Sequence, residues 1–61
     1  MENWKERVII EKKELDLKIY NLELFLNSDK AKNIDSKQLG LLNIQLYTMK
    51  TYSNCLNERL S

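Results

Sequence analysis

The sequence predicts an all-α protein, an antiparallel two-helix hairpin that assembles into a helical-bundle homo-oligomer. Two heptad patterns predict the helices, because apolar residues spaced three and four apart share one side of an α-helix. The 61-residue length predicts the oligomer, since so short a chain buries little apolar surface by itself. We expect a single domain with helix 1 at about 4–27, a connector at 28–35 and helix 2 at about 36–60.

Helix 1 is predicted to begin after Asn3, a favourable N-cap residue, with Glu6 three residues later in the spacing of a capping box. Its inner seam has gaps of three and four residues and a single polar member, Lys12. The seam comprises Val8, Lys12, Leu15, Ile19, Leu22 and Leu26. A second apolar stripe on the opposite side predicts that helix 1 is buried on two sides, one against helix 2 and the other against another chain. That stripe comprises Ile10, Leu17 and Leu24, with Tyr20 nearby.

Helix 2 carries an inner seam that continues over three heptads with one non-apolar member, Ser53. The seam comprises Leu39, Leu42, Leu46, Met49, Ser53, Leu56 and Leu60. Asp35 is the predicted N-cap, and Gln38 completes its capping box. In the polar connector, Ile34 is expected to close one end of the core. Gly40 either costs about 1 kcal/mol relative to alanine or marks a close helix contact.

The two seams also predict a register. In an antiparallel hairpin, the residue numbers of two facing residues add up to a nearly constant value. Here the sum is 65 for Leu26 with Leu39 and 64 for Val8 with Leu56. The same rule pairs the two polar members, Lys12 and Ser53. This layer has three interpretations. The Lys12 ammonium could bind an anion, or the polar pair could specify the register of the two helices. Alternatively, the aliphatic part of Lys12 covers the core while its charged end is solvated.

Composition argues against several classes of function. The chain has no histidine and one cysteine, which excludes the usual zinc ligand sets and the Cys-His and Ser-His catalytic pairs. We therefore expect no enzyme activity, no cofactor and no metal. Cys55 is expected to pack as a small apolar residue, and a lone thiol is typical of the reducing cytoplasm. We expect neither a signal peptide nor a membrane-spanning segment, and without a basic stripe we do not expect nucleic-acid binding.

Polar and aromatic residues beside the seams form a candidate ligand site. The flank of helix 2 places an aromatic ring and a guanidinium group one heptad apart, and a second guanidinium lies on the facing flank of helix 1. Guanidinium groups beside an aromatic ring suit a ligand that contains phosphate and a base, and another chain could supply the missing wall. The alternative is a solvated flank with ion pairs between chains. The predicted ligand-binding residues are Arg7, Glu11, Lys12, Gln45, Tyr52 and Arg59.

Two segments carry a resemblance to a known family. The first runs from Arg7 to Leu26, and the second runs from Leu41 to Leu60. They resemble the two helices of a group of small, uncharacterised helical-hairpin proteins of tailed phages and prophages, crAss-like phages included. The resemblance covers nearly the whole chain, and its most specific part is the spacing of Gln45, Met49, Tyr52 and Arg59.

The resemblance implies a phage-encoded accessory protein in the cytoplasm of the host cell. In scale and architecture the chain is also similar to phage helical-hairpin sponges, which form multimers and bind cyclic-nucleotide immune signals between protomers. We therefore predict a non-enzymatic protein that counters host defence, by binding a host defence protein or by sequestering a nucleotide signal. The alternative is a structural or regulatory interaction module that has no small-molecule ligand.

Overall fold

The computed structural model describes residues 3–61, which form two long helices in a hairpin. Helix α1 spans Trp4–Leu26 and helix α2 spans Ser36–Leu60, with a short 3-10 helix at Asp29–Asn33 between them. The hairpin is a rod of 48 × 16 × 15 Å. No strand occurs among residues 3–61. The prediction of an all-α helical hairpin is therefore confirmed.

Side-chain caps begin both helices, at the residues that the sequence pattern indicated. The Asn3 side chain accepts a hydrogen bond from the backbone N–H of Lys5 at 2.9 Å. The Asp35 carboxylate accepts one from the backbone N–H of Gln38 at 2.8 Å. Each cap satisfies a donor that has no partner inside its helix, and together they define where the two rods start.

The core is a narrow seam between the helices. It consists of four buried residues with three partly buried ones packed against them: Val8, Leu15, Ile19 and Leu56, then Leu46, Met49 and Leu60. In the connector Ala31 is the buried residue, whereas Ile34, which was expected to close the core, is half-buried. The 3-10 helix packs against α1.

The outer sides of both helices remain exposed in the single chain. Its accessible surface is 5091 Å², whereas a compact protein of 7.3 kDa exposes about 4,200 Å². Cys55 is exposed, so the expectation that it packs is wrong for the single chain, because its side of α2 points away from α1. Nothing lies within 4 Å of a Cβ built on Gly40, which therefore makes no close contact with α1. Within the described residues, neither helix is long and apolar enough to cross a membrane.

Candidate ligand-binding site

The hairpin has two broad faces that present different polar side chains. At about 100° per residue, the positions that flank the inner seams fall on one face or the other. The ion-pair face carries Lys12, Asp16 and Glu23 from α1 and Lys50 and Ser53 from α2. The Tyr52 face carries Arg7, Glu11 and Lys18 from α1 and Gln45, Tyr52 and Arg59 from α2.

A three-residue polar cluster lies at the centre of the ion-pair face. The buried Ser53 hydroxyl donates a hydrogen bond to Oδ1 of Asp16 at 2.5 Å. The Lys12 ammonium donates to the other oxygen of that carboxylate at 2.7 Å. The hydrogen bond from Lys12, and then that from Ser53, lower the pKa of the Asp16 carboxyl below its ordinary value. The hydrogen bond from Ser53 to Asp16 therefore joins the helices, and the ion pair between Lys12 and Asp16 lies within α1.

This cluster changes the interpretation of the predicted polar layer. The sum rule paired Lys12 directly with Ser53, but the hydroxyl of Ser53 bonds to Asp16, one helical turn beyond Lys12. The long stem of Lys12 then brings its ammonium to the same carboxylate. Sequence reasoning missed Asp16, although its i,i+4 spacing from an opposite charge was a usable signal. Because Asp16 neutralises the ammonium, the idea that Lys12 awaits an anion loses its support.

A second ion pair connects the helices on the same face. Nζ of Lys50 lies 3.1 Å from Oε2 of Glu23, with both side chains about half exposed. Pairs this exposed are worth about 0–1 kcal/mol, so the contact adds little to the stability of the hairpin. The charges of the ion-pair face are thus matched within the chain.

The Tyr52 face begins at the open end of the hairpin, where the positively charged groups of Lys5 and Arg59 lie near the indole ring of Trp4. The guanidinium carbon of Arg59 lies 5.9 Å from the centroid of the Trp4 ring, and Nζ of Lys5 lies 5.8 Å from it. Both distances are within the range of a cation–π interaction. Arg7 follows Trp4 by three residues, a spacing that makes them neighbours on the surface of α1. Trp4, which the sequence analysis had not assigned to the site, is 51% exposed and therefore accessible.

Further along the face, the side chains are less constrained. The Tyr52 ring is 44% exposed. Nε2 of Gln45 lies 4.0 Å from Sδ of Met49, a weak contact that a ligand could replace. Neither Glu11 nor Lys18 forms an ion pair with the rest of residues 3–61.

The single chain presents these groups on an open surface. The part of the chain that the structure describes encloses no pocket. Small-molecule ligands usually lose about 70–90% of their surface to the protein, so a ligand here needs a second wall. The helical positions of the predicted site residues agree with one face for all but Lys12, which lies on the ion-pair face. Their role in binding stays a prediction.

The fold and its surfaces define a small helical-hairpin protein, with ion pairs on one broad face and exposed aromatic and guanidinium groups on the other. A family model described as Sequestin matches residues 2–61, nearly the full length of the chain. The chain therefore belongs to the Sequestin family. No curated protein and no solved structure matches it in the corresponding comparisons.

Proposed function

We propose that this protein is a non-enzymatic binding protein that sequesters a nucleotide signal in the cytoplasm of a phage-infected cell and thereby counters host defence. The observation that carries the proposal is the Arg59 guanidinium beside the exposed Trp4 ring, on a face where Glu11 and Lys18 form no ion pair within residues 3–61. The name of the Sequestin family is compatible with sequestration. Binding alone is sufficient for this role, so no bond in the ligand has to break.

The chemistry of the Tyr52 face suits the two parts of a nucleotide. A guanidinium group binds a phosphate through two parallel hydrogen bonds, and Arg7 and Arg59 both belong to this face. The Tyr52 or Trp4 ring offers a surface on which a base stacks, a contact worth about 1–3 kcal/mol. The Gln45 amide can donate and accept at the edge of that base, since its present partner is only a thioether.

The proposed site includes a second copy of the chain. The face of one chain is open, and the homo-oligomer predicted from the sequence would supply the wall that encloses a ligand. Such a site explains how a chain of 61 residues could hold a nucleotide without a deep cleft of its own. It also makes binding depend on assembly.

A second candidate function is an interaction module that binds a host defence protein or another structural partner and no small molecule. The observation that favours it is the exposure of large apolar residues on the outer sides of both helices, away from the Tyr52 face. Among these are Ile10, Leu17, Leu24 and Ile44, each more than half exposed. Surfaces of this kind often bind proteins.

The test is a nucleotide titration followed through Trp4, the only tryptophan in the sequence. A panel of cyclic and linear dinucleotides is added while tryptophan fluorescence and the melting temperature are measured. We expect one member to change both signals. Arg59→Ala should weaken its binding by about tenfold or more, since a hydrogen bond to a charged group is worth about 1.5–3 kcal/mol. Lys30→Ala, which removes a charge from the connector, is the matched control and should leave binding unchanged.

An aromatic pair provides a second control. Tyr52→Ala removes a ring from the proposed site, whereas Tyr47→Ala removes one that is 74% exposed on another side of α2. We expect only the first change to weaken binding. If no nucleotide in the panel alters fluorescence or melting temperature, sequestration is overturned. Capture of a specific host protein by the same chain would then favour the interaction module.

A further inference from the structure

We propose that the outer side of α1 is a self-complementary interface at which a second copy binds antiparallel, with the two-fold axis at Leu17. The proposal does not depend on a ligand. Five residues of this outer seam follow one another with gaps of three, four, three and four: Ile10, Lys13, Leu17, Tyr20 and Leu24. This is the heptad spacing of the inner seam, repeated on the opposite side of the same helix. Its four apolar and aromatic members are between 53% and 60% exposed.

The outer seam matches itself when its direction is reversed. With the axis at Leu17, Ile10 of one chain faces Leu24 of the second copy, and the Leu17 side chains meet at the centre. The charged member, Lys13, then faces Tyr20 of the second copy, so that its stem lies on the ring and its ammonium gains a cation–π contact. A second copy presents this complement by symmetry, as an isologous interface requires.

Charges beside the outer seam are compatible with this pairing. Asp16 precedes Leu17 and lies on the flank of the seam, so the Asp16 carboxylates of two copies would approach each other near the axis. Each carboxylate already holds a Lys12 ammonium at 2.7 Å within its own chain. The pair of copies therefore meets there without an unmatched negative charge.

The exposed area also agrees with an interface of this size. The chain exposes about 900 Å² more than the size scaling gives, and a standard interface buries about 800 Å² on each partner. The outer side of α2 is a weaker candidate, because its stripe begins with the apolar residues Leu41 and Ile44 but continues with Thr48, Thr51 and Cys55.

The pairing has a geometric consequence for the Tyr52 faces. An antiparallel pair of α1 helices is related by an axis perpendicular to the layer of four helices. Rotation about such an axis keeps each broad face on its own side. Both Tyr52 faces therefore lie on the same side of the dimer. This interface does not itself supply the second wall of the proposed ligand site, and a further copy has to supply that wall when the ligand binds.

The first experiment measures the mass of the full chain in solution. We expect sedimentation to give a dimer, twice the chain mass of 7.3 kDa. Leu17→Glu places two like charges at the axis and should weaken dimerisation by about 100-fold or more. Ile44→Glu makes the same chemical change on the outer side of α2 and should leave the dimer intact. A wild-type chain that stays monomeric up to millimolar concentration overturns the proposal, as does dissociation by the Ile44 variant alone.

A second experiment covers the case in which Leu17→Glu prevents folding. In a Cys55→Ser background, Leu17→Cys places two thiols at the axis, and mild oxidation should give a covalent dimer with unchanged helicity. Ile44→Cys in the same background is the control and should give little dimer. Equal crosslinking of the two variants overturns the assigned interface. Dimerisation without nucleotide binding would leave this interface standing while the proposed function fails.

Discussion

The two broad faces of the hairpin use similar side chains in different ways. On the ion-pair face, Asp16 receives hydrogen bonds from Lys12 and Ser53, and Lys50 pairs with Glu23. On the Tyr52 face, Arg59 lies beside an aromatic ring and Glu11 forms no ion pair within residues 3–61. The number of charged residues on a face therefore does not show whether those residues stabilise the fold or can contact a ligand. What separates Asp16 from Glu11 is whether the helical spacing and the opposite helix already provide an ion-pair or hydrogen-bond partner.

The difference has an energetic basis. Ser53 is buried, so its hydroxyl needs an acceptor, and Asp16 supplies one. The residues of the Tyr52 face are exposed to water, which satisfies their polar groups at little cost. Changes on the first face should thus affect stability, and changes on the second should affect binding.

The largest effect on stability within this comparison is expected for Asp16→Ala. The change leaves the buried Ser53 hydroxyl without its acceptor, which costs about 1–3 kcal/mol of the free energy of unfolding. Urea denaturation followed by circular dichroism measures it. Glu11→Ala removes the same charge type from the Tyr52 face and should change stability by less than about 0.5 kcal/mol. Equal losses in the two variants would break the distinction between the faces.

A smaller effect is expected when the pH is lowered. The pKa of Asp16 is depressed in the folded chain by the hydrogen bonds from Lys12 and Ser53, so the ionised carboxylate favours the folded state. That contribution is complete above the ordinary carboxyl pKa of about 3.9 and is lost as the pH falls through the lower, folded value. Thermal melts between pH 2 and pH 6 should show this loss in the wild type and less of it in Asp16→Asn. Identical acid profiles would show that Asp16 does not couple folding to pH.

The sequence was sufficient for the fold because a hairpin follows from local patterns. The heptad seams predicted the two helices, and the residue types at Asn3 and Asp35 predicted their N-caps. The structure confirms both caps. Helix propensity, seam spacing and capping all act within a few residues, so no distant contact has to be known. The prediction that oligomers form concerns contacts between chains, which the contacts of one chain do not test.

The candidate site was less predictable because it depends on side-chain reach. The sum rule locates backbone layers, but a short serine and a long lysine in one layer do not end at the same place. Asp16 accepts from both, since it lies one turn from Lys12 and the Ser53 hydroxyl reaches it across the helices. Trp4 was missed for the converse reason: its ring extends beyond the seam to meet Arg59 at the open end.

The smallest effect is expected for the ion pair between Glu23 and Lys50. Both side chains are about half exposed, so their interaction should contribute about 0–1 kcal/mol and weaken as salt is added. A double-mutant cycle with Glu23→Ala and Lys50→Ala isolates the coupling energy from other losses. The same cycle with Glu11 and Arg59, on the Tyr52 face, is the matched control and should give no measurable coupling. A coupling above about 1 kcal/mol on the Tyr52 face would mean that its charges already serve the fold. In that case the face would be a less suitable surface for a ligand than its geometry indicates.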